Sequence, residues 1–144
     1  MTAEAHLIVC PDCRAINRVH AGREDQATCG KCKSKVFENR SVELIGATFD
    51  RHISKTEIPI LVDFYSPTCA PCLMMGPQFD DAAKQLHPKA RLVKIDTTAE
   101  QAIASRFGIQ SVPTLIIFKG GKEVARQSGA MLAQEMVNWV NQNI

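Results

Sequence analysis

The sequence predicts an α/β protein: a mixed sheet flanked by helices over residues 41–144, preceded by a small cysteine-stapled ribbon over residues 1–40. Three observations point to it. From residue 58 onward, dense apolar runs of strand length alternate with stretches of helical periodicity. Large apolar side chains are scarce in the first forty residues, too few for an independent core. And the six cysteines fall as three CxxC pairs, Cys10/Cys13, Cys29/Cys32 and Cys69/Cys72, two of which lie inside that poor segment. A chain of 144 residues is long enough for one domain with a substantial core plus an appendage that needs a staple.

In the amino-terminal segment the apolar candidates are Leu7, Ile8, Val9, Ile16, Val19, Val36 and Phe37, so a metal would have to supply much of its folding energy. Fifteen residues separate Cys13 from Cys29, the spacing of a two-knuckle zinc ribbon. Each CxxC turn offers two thiolates, and Cys10, Cys13, Cys29 and Cys32 together would fill the four corners of one structural Zn²⁺ site per chain. The competing reading is two local disulfides or redox pairs. Gly30 is expected to allow close backbone approach within the second knuckle. His6 and His20 read as surface histidines, because four cysteines are already present. A closed site leaves no coordination position for substrate, although oxidation of its thiolates would release the metal.

Residues 34–47 lead from the second knuckle into a short apolar strand over 42–45, with a boundary near Arg40. Residues 58–65, IPILVDFY, read as a buried strand. An apolar-periodic helix follows over 73–86, with Pro77 kinking it. Next come a strand over 91–96, a helix over 99–107 and a strand over 114–118. Lys119-Gly120-Gly121-Lys122 signals a tight turn into a returning strand over 123–127. Leu132, Met136, Trp139 and Val140 mark one face of a closing helix. The order from residue 58, β-α-β-α-β-β-α, implies a mixed sheet with flanking helices.

Lys plus Arg against Asp plus Glu number seven to five in residues 1–40 and ten to ten beyond, so the formal +2 lies wholly in the ribbon segment. Four thiolates on one zinc ion would bring the total near zero. That balance gives no nucleic-acid footprint. No segment reaches membrane-span length, and the amino terminus, MTAEAHLIVC, lacks the basic start and apolar stretch of a secretory signal. The expected compartment is the cytoplasm, where paired cysteines serve as metal ligands or catalysts more often than as structural disulfides. No organic cofactor is expected.

The third pair stands alone after an apolar strand, at the start of a helix. Partial positive charge and free backbone N–H groups there stabilise a thiolate. Cys69 is therefore the expected exposed nucleophile, attacking a substrate disulfide to form a mixed disulfide, and Cys72 the buried resolving thiol. Resolution needs a base. Asp63 interrupts the strand IPILVDFY six residues before Cys69, and two readings stand side by side: a buried carboxylate of raised pKa that accepts the proton, or a strand-end aspartate satisfied by backbone donors. Lys94, in RLVKID, could pair with Asp63, but by pattern it reads as an exposed strand lysine. Pro113 belongs at a strand start or edge, and its X–Pro bond is open to cis or trans.

DFYSPTCAPC, then Pro77, KID, FGIQSVPTLIIFKGGK and SGA, in that order and at matching intervals, resemble the thioredoxin family across residues 41–144. With the amino-terminal ribbon, the whole chain resembles the zinc-ribbon members of that family. The resemblance implies a thioredoxin fold and a protein-disulfide reductase, with Cys69 as nucleophile, Cys72 as resolving cysteine, Asp63 as buried carboxylate and Lys94 as its neighbour. It implies a cis Pro113 whose preceding Val112 offers backbone hydrogen bonds to a substrate strand, with Gly129, Thr68, Ala70 and Pro71 on the same recognition surface. An NADPH-dependent thioredoxin reductase is the implied electron donor, disulfide-containing proteins the substrates, and a monomer the working state. Two departures stand out. Thr68 and Tyr65 occupy positions where the family usually carries tryptophan, which removes a large apolar platform beside the nucleophile. Ala70 replaces glycine between the cysteines, where the dipeptide tunes redox poise. A disulfide oxidant or isomerase, and a zinc-controlled chaperone or adaptor, are the competing functions.

Overall fold

The computed structural model describes residues 5–37 and 40–144. Residues 1–4 and 38–39 lie outside the described residues, and with them part of the expected amino-terminal segment and of the run leading to the boundary at Arg40. The segment around the first four cysteines forms a two-stranded antiparallel hairpin, β1 (Ala5–Val9) and β2 (Ile16–His20), followed by a single 3-10 turn at Glu24–Gln26. The remainder runs β3 (Val42–Leu44), α1 (Gly46–Lys55), β4 (Ile60–Tyr65), α2 (Ala70–Leu86), β5 (Arg91–Asp96), α3 (Gln101–Arg106), β6 (Thr114–Lys119), β7 (Lys122–Ser128) and α4 (Ala133–Gln142).

Strand order is β3-β5-β4-β6-β7; β3, β5 and β4 are parallel, whereas β6 and β7 are antiparallel additions. This is the mixed sheet expected, and β4 at its centre is buried from Ile60 to Phe64. Period-2 alternation divides β4 between two cores. Ile60, Val62 and Phe64 face Phe49, Ile53 and Ile103 of α1 and α3, while Leu61 faces Met75, Phe79, Met136 and Val140 of α2 and α4. Asp63 therefore falls on the α2 side, in register with Leu115 of β6 and Lys94 of β5.

Two expectations are corrected. Residues 46–55 form α1, a stretch in which the sequence pattern announces no element. The helix is polar apart from a narrow stripe, with only Phe49, His52 and Ile53 buried, so its apolar period is too thin to stand out. Ile16, an expected ribbon core residue, is 40% exposed; Ile58, from the approach to β4, fills that core beside Ile8, Val19, Val36 and Phe37.

The hairpin docks against the amino-terminal end of the parallel strands. Leu7 N–H donates to Glu57 Oε1 at 2.6 Å, and Glu57 N–H donates back to the Leu7 carbonyl at 2.8 Å. Val9 N–H donates to Thr56 Oγ1, and Arg51 Nε to the Arg14 carbonyl. Arg91, buried at the first residue of β5, donates to the carbonyls of Val9, at 2.7 Å, and Val36, and its guanidinium lies 5.1 Å from the centre of the Phe37 ring. A buried guanidinium needs such partners, since leaving it without them would cost several kcal/mol. Among the described residues no helix is long and apolar enough to cross a membrane.

Candidate active site and metal-ligand cluster

The two amino-terminal CxxC turns are built alike. In each, the first cysteine's N–H donates to a carbonyl five residues on, Cys10 to Ala15 and Cys29 to Ser34, both at 2.8 Å. In each, the residue after the second cysteine donates back to the first cysteine's carbonyl, Arg14 to Cys10 and Lys33 to Cys29. Those two residues, Arg14 and Lys33, adopt positive φ of 64° and 68°, the left-handed conformation that reverses the chain. This corrects the expectation for Gly30, which has ordinary φ and nothing nearer its absent Cβ than Asn17 Oδ1 at 4.0 Å; the reversal falls three residues later, on Lys33.

The turns bring the four sulfurs within 4.8 Å of one another, with Cys10 to Cys32 at 3.6 Å and Cys13 to Cys29 at 3.5 Å. All four are free thiols, so the reading as two local disulfides does not describe this structure. Backbone N–H groups already point at the sulfurs: Asp12 at Cys10, Lys31 and Cys32 at Cys29. The Cys32 N–H, then the Asn17 side chain, pulls the Cys29 thiol down to about 5, whereas burial pushes Cys10 up to about 11. Four thiolates cannot share so small a volume without a cation. A tetrahedral metal held by thiolates at about 2.3 Å has sulfur–sulfur edges of about 3.8 Å, and the cluster fits such an ion. His6 and His20 lie outside it.

The third pair sits at the opposite end of the parallel strands. β4 spans roughly 17 Å from Ile60 to Tyr65 at about 3.3 Å per residue; the hairpin contacts the chain before Ile60, and the dithiol comes after Tyr65. Cys69 is the N-cap of α2, and its sulfur accepts the Cys72 N–H at 3.2 Å. Ala70 and Pro71 open the helix, where proline loses no hydrogen bond, and both are exposed. Cys69 Sγ is partly exposed and lies 3.6 Å from the Val112 carbonyl. Cys72 is only 5% exposed, and burial, then its hydrogen bond with Cys69, pushes its thiol up to about 12.

Asp63 is buried and its Oδ1 has no hydrogen-bond partner. Burial raises its carboxyl to about 7, against the lowering effect of Lys94. The structure thus departs from a strand-end aspartate satisfied by donors. Its negative charge is also among the influences raising Cys72. Lys94 is half-buried, in register with Asp63 on β5, with Nζ 4.7 Å from the centre of the Tyr65 ring. The Val112–Pro113 bond is cis. Gly129 donates its N–H to the Pro113 carbonyl at 2.9 Å with φ of 96°, which brings the loop before α4 beside Val112 and Cys69. Thr68 is exposed, its hydroxyl 3.1 Å from that of Ser66.

Two further neighbours belong to the site although sequence pattern singles out neither. Glu43 on β3 pairs in register with Lys94 and accepts a 2.7 Å hydrogen bond from the Tyr65 hydroxyl; burial raises its carboxyl. Ser66 accepts from the Thr68 N–H, and its backbone N–H lowers the Cys72 thiol against burial. Glu43 carries no local signal, because only the strand order β3-β5-β4 aligns it with Lys94 and Asp63.

The family model for thioredoxin matches residues 40–142. Thioredoxin C-3 of Corynebacterium nephridii is 36% identical over 139 residues, 96% of this chain and 95% of its own, so the similarity runs into the amino-terminal segment. The thioredoxin of Haemophilus influenzae is 39% identical over 98 residues, 68% of this chain and 92% of its own. Among solved structures, a mutant thioredoxin from Halobacterium salinarum NRC-1 matches with a TM-score of 0.66 at 28% identity, covering 73% of this chain and 91% of that one. A cysteine pair capping a helix at the end of a buried strand, in a sheet of this order, with those relatives, makes the chain a member of the thioredoxin family and a thiol–disulfide oxidoreductase with protein-disulfide reductase activity.

Proposed function

We propose that Cys69 and Cys72 carry the reductase chemistry, with Asp63 as proton acceptor, in a chain whose residues 1–40 are a structural zinc ribbon and residues 41–144 the thioredoxin domain. The observation that carries this reading is the pairing of a half-exposed helix-cap sulfur, Cys69, with a buried thiol, Cys72, whose N–H it accepts at 3.2 Å. Cys69 thiolate attacks one sulfur of a substrate disulfide; that S–S bond breaks, a mixed disulfide forms and the substrate's other sulfur leaves as thiolate. Joining Cys69 to substrate removes the Cys69 influence that helps to hold Cys72 protonated, so the Cys72 thiol becomes more acidic when it is needed. Its proton passes to Asp63, directly or through water. Cys72 thiolate then attacks Cys69 Sγ, closing the Cys69–Cys72 disulfide and releasing the second substrate thiolate. The substrate gains two electrons, and the protein is left oxidised by two.

Lys94, in register with Asp63, counters full neutralisation of the carboxyl and keeps it near the pH at which it must accept and return a proton. Val112 and cis Pro113 supply the edge along which a substrate strand lies, with Thr68, Ala70, Pro71 and Gly129 around it. Electrons are returned by a thioredoxin reductase drawing on NADPH. The four-cysteine cluster and the match extending into the amino-terminal segment support a zinc-ribbon thioredoxin of the thioredoxin-2 type, with Zn²⁺ as the ion and folding of the hairpin as its task. Cysteine pairs used as metal ligands and as a catalytic dithiol favour a reducing compartment, the cytoplasm, and the working unit is a monomer. Dithiothreitol-driven reduction of insulin tests the central claim: Cys69→Ser should abolish it, and a variant as fast as wild type would sink the assignment.

A further inference from the structure

Glu43, Lys94 and Asp63 occupy one row across three neighbouring strands, β3, β5 and β4. Leu44, next to Glu43, packs into the core beneath α1 and α3, so by the alternation of a strand Glu43 points to the other face, the one on which Asp63 lies. Tyr65, two residues after Asp63, shares that face. Its hydroxyl donates to Glu43 Oε1 at 2.7 Å. A bond from β4 to β3 has to pass over β5, which lies between them, and Lys94 Nζ sits there, 4.7 Å from the centre of the Tyr65 ring. The lysine is thus shared by two carboxylates and the face of one ring.

This bridge does not come with the dithiol motif. Tryptophan, which the thioredoxin family usually carries at position 65, has no hydroxyl to offer. Glu43 stands exposed on an edge strand, where an untethered glutamate would turn to water; the Tyr65 bond fixes it beside the lysine. The phenol stays a donor, because burial, then Glu43 itself, pushes its ionisation up. The remaining charge near Glu43 is Asp96, in register with Tyr65, whose Oδ1 is occupied by the N–H groups of Thr98 and Ala99. Toward Asp63, α2 contributes the Cys72 thiol and β6 the apolar Leu115.

We propose that Glu43 is a positioning residue for resolution of the mixed disulfide: tethered by Tyr65, its carboxylate draws on the charge of Lys94 and repels charge on Asp63, so that Asp63 keeps enough affinity for the Cys72 proton to accept it. The proposal rests on Asp63 being that acceptor. One proton moves, from Cys72 Sγ to the Asp63 carboxylate, and Glu43 and Lys94 exchange none. Glu43 acts upward on the Asp63 carboxyl and Lys94 downward. Across two strand spacings, about 10 Å, a unit charge moves a titration midpoint by roughly 0.3–0.6 in pH at the effective dielectric of about 40–80 that an exposed partner leaves.

The test follows the Asp63 carboxyl carbon by NMR against pH in the reduced full chain, together with the pH profile for single-turnover release of the second substrate thiol. Glu43→Gln keeps an acceptor for the Tyr65 hydroxyl and removes the charge. The Asp63 midpoint should then fall by at least about 0.3, and the acid limb of the release profile with it. Lys94→Met should move both upward, by at least about 0.5. A general loss of packing would not send the two variants in opposite directions. A Glu43→Gln midpoint within about 0.1 of wild type, or shifts of one sign in both variants, overturns the role of Glu43 while Asp63 stays the acceptor. If Asp63→Asn leaves the release profile unchanged, the acceptor assignment falls, and the role of Glu43 with it.

Discussion

The Cys29/Cys32 turn and the Cys69/Cys72 turn share a sequence pattern and a local hydrogen bond. In both, the second cysteine's N–H points at the first cysteine's sulfur, at 3.5 Å and 3.2 Å. The backbone beyond the motif separates them. After Cys32 the chain reverses at left-handed Lys33, and the sulfurs turn to face another pair. After Cys72 it continues as a seventeen-residue helix, which sinks one thiol into the core and leaves the other at its amino-terminal cap. The same four-residue pattern gathers sulfurs into a cluster that could hold a metal where the backbone folds back, and sets out the dithiol proposed above to exchange electrons where it runs on. CxxC is thus a local geometry whose chemistry is decided by the next element.

Exchanging serine for one cysteine in each turn puts the largest effect on that contrast. Cys69→Ser is expected to lower insulin reduction by at least about three orders of magnitude, whereas Cys29→Ser, at the far end of the sheet, changes the rate by less than about threefold. Equal losses in the two variants would erase the functional difference. The converse experiment removes the metal: dialysis against a strong chelator should take bound zinc from one per chain to none and abolish amide protection in residues 5–37, while the five-stranded sheet stays protected. Structural zinc supplies on the order of 10 kcal/mol to such small folds, so retention of hairpin protection would show that the cluster is not what holds it.

Asp63→Asn sharpens the dithiol side. The folded carboxyl titrates near 7 against an ordinary value of 3.8, so between those values the folded state binds more protons than the unfolded chain. Stability is therefore lost as pH rises from about 4 to about 7. The asparagine variant should be more stable at pH 8 by on the order of 2–4 kcal/mol, with little gain at pH 4, and should reduce insulin about 10- to 100-fold more slowly. Chemical denaturation at the two pH values measures the first effect, and a gain equal at both would exclude ionised Asp63 as its source. Arg91→Met should have the smallest effect. It leaves the Val9 and Val36 carbonyls without their donor, at about 1–3 kcal/mol, and should lower Tm by several degrees while insulin reduction holds within about twofold.

Much of this is legible in the chain. The run from Ile58 to Phe64 announces a central strand because residues buried on both faces must all be apolar, and that same uniformity makes Asp63 conspicuous. The cysteine spacing divides four from two. The features that stay hidden depend on neighbours distant in sequence. The alignment of Glu43, Lys94 and Asp63 across three strands follows from a strand order that no local pattern encodes. Arg91 reads as an ordinary charged strand start, and only the docked hairpin reveals two carbonyls waiting for it. Helix α1 escapes notice because its buried stripe is narrow, and the knuckle reversals do so because Arg14 and Lys33 are not the residues that usually adopt positive φ.

Arg91 also gives the molecule a chronology. A ribosome delivers all four ribbon cysteines by residue 32 but the guanidinium that latches their hairpin only 59 residues later, about 3–12 s at about 5–20 residues per second. Ile58, which completes the hairpin's core, emerges between the two. During nascent growth the thiols are thus available to a metal ion before their docking surface exists; Thr56 and Glu57, which bind Val9 and Leu7, emerge next, and the Arg91 latch can close only after β5 has begun.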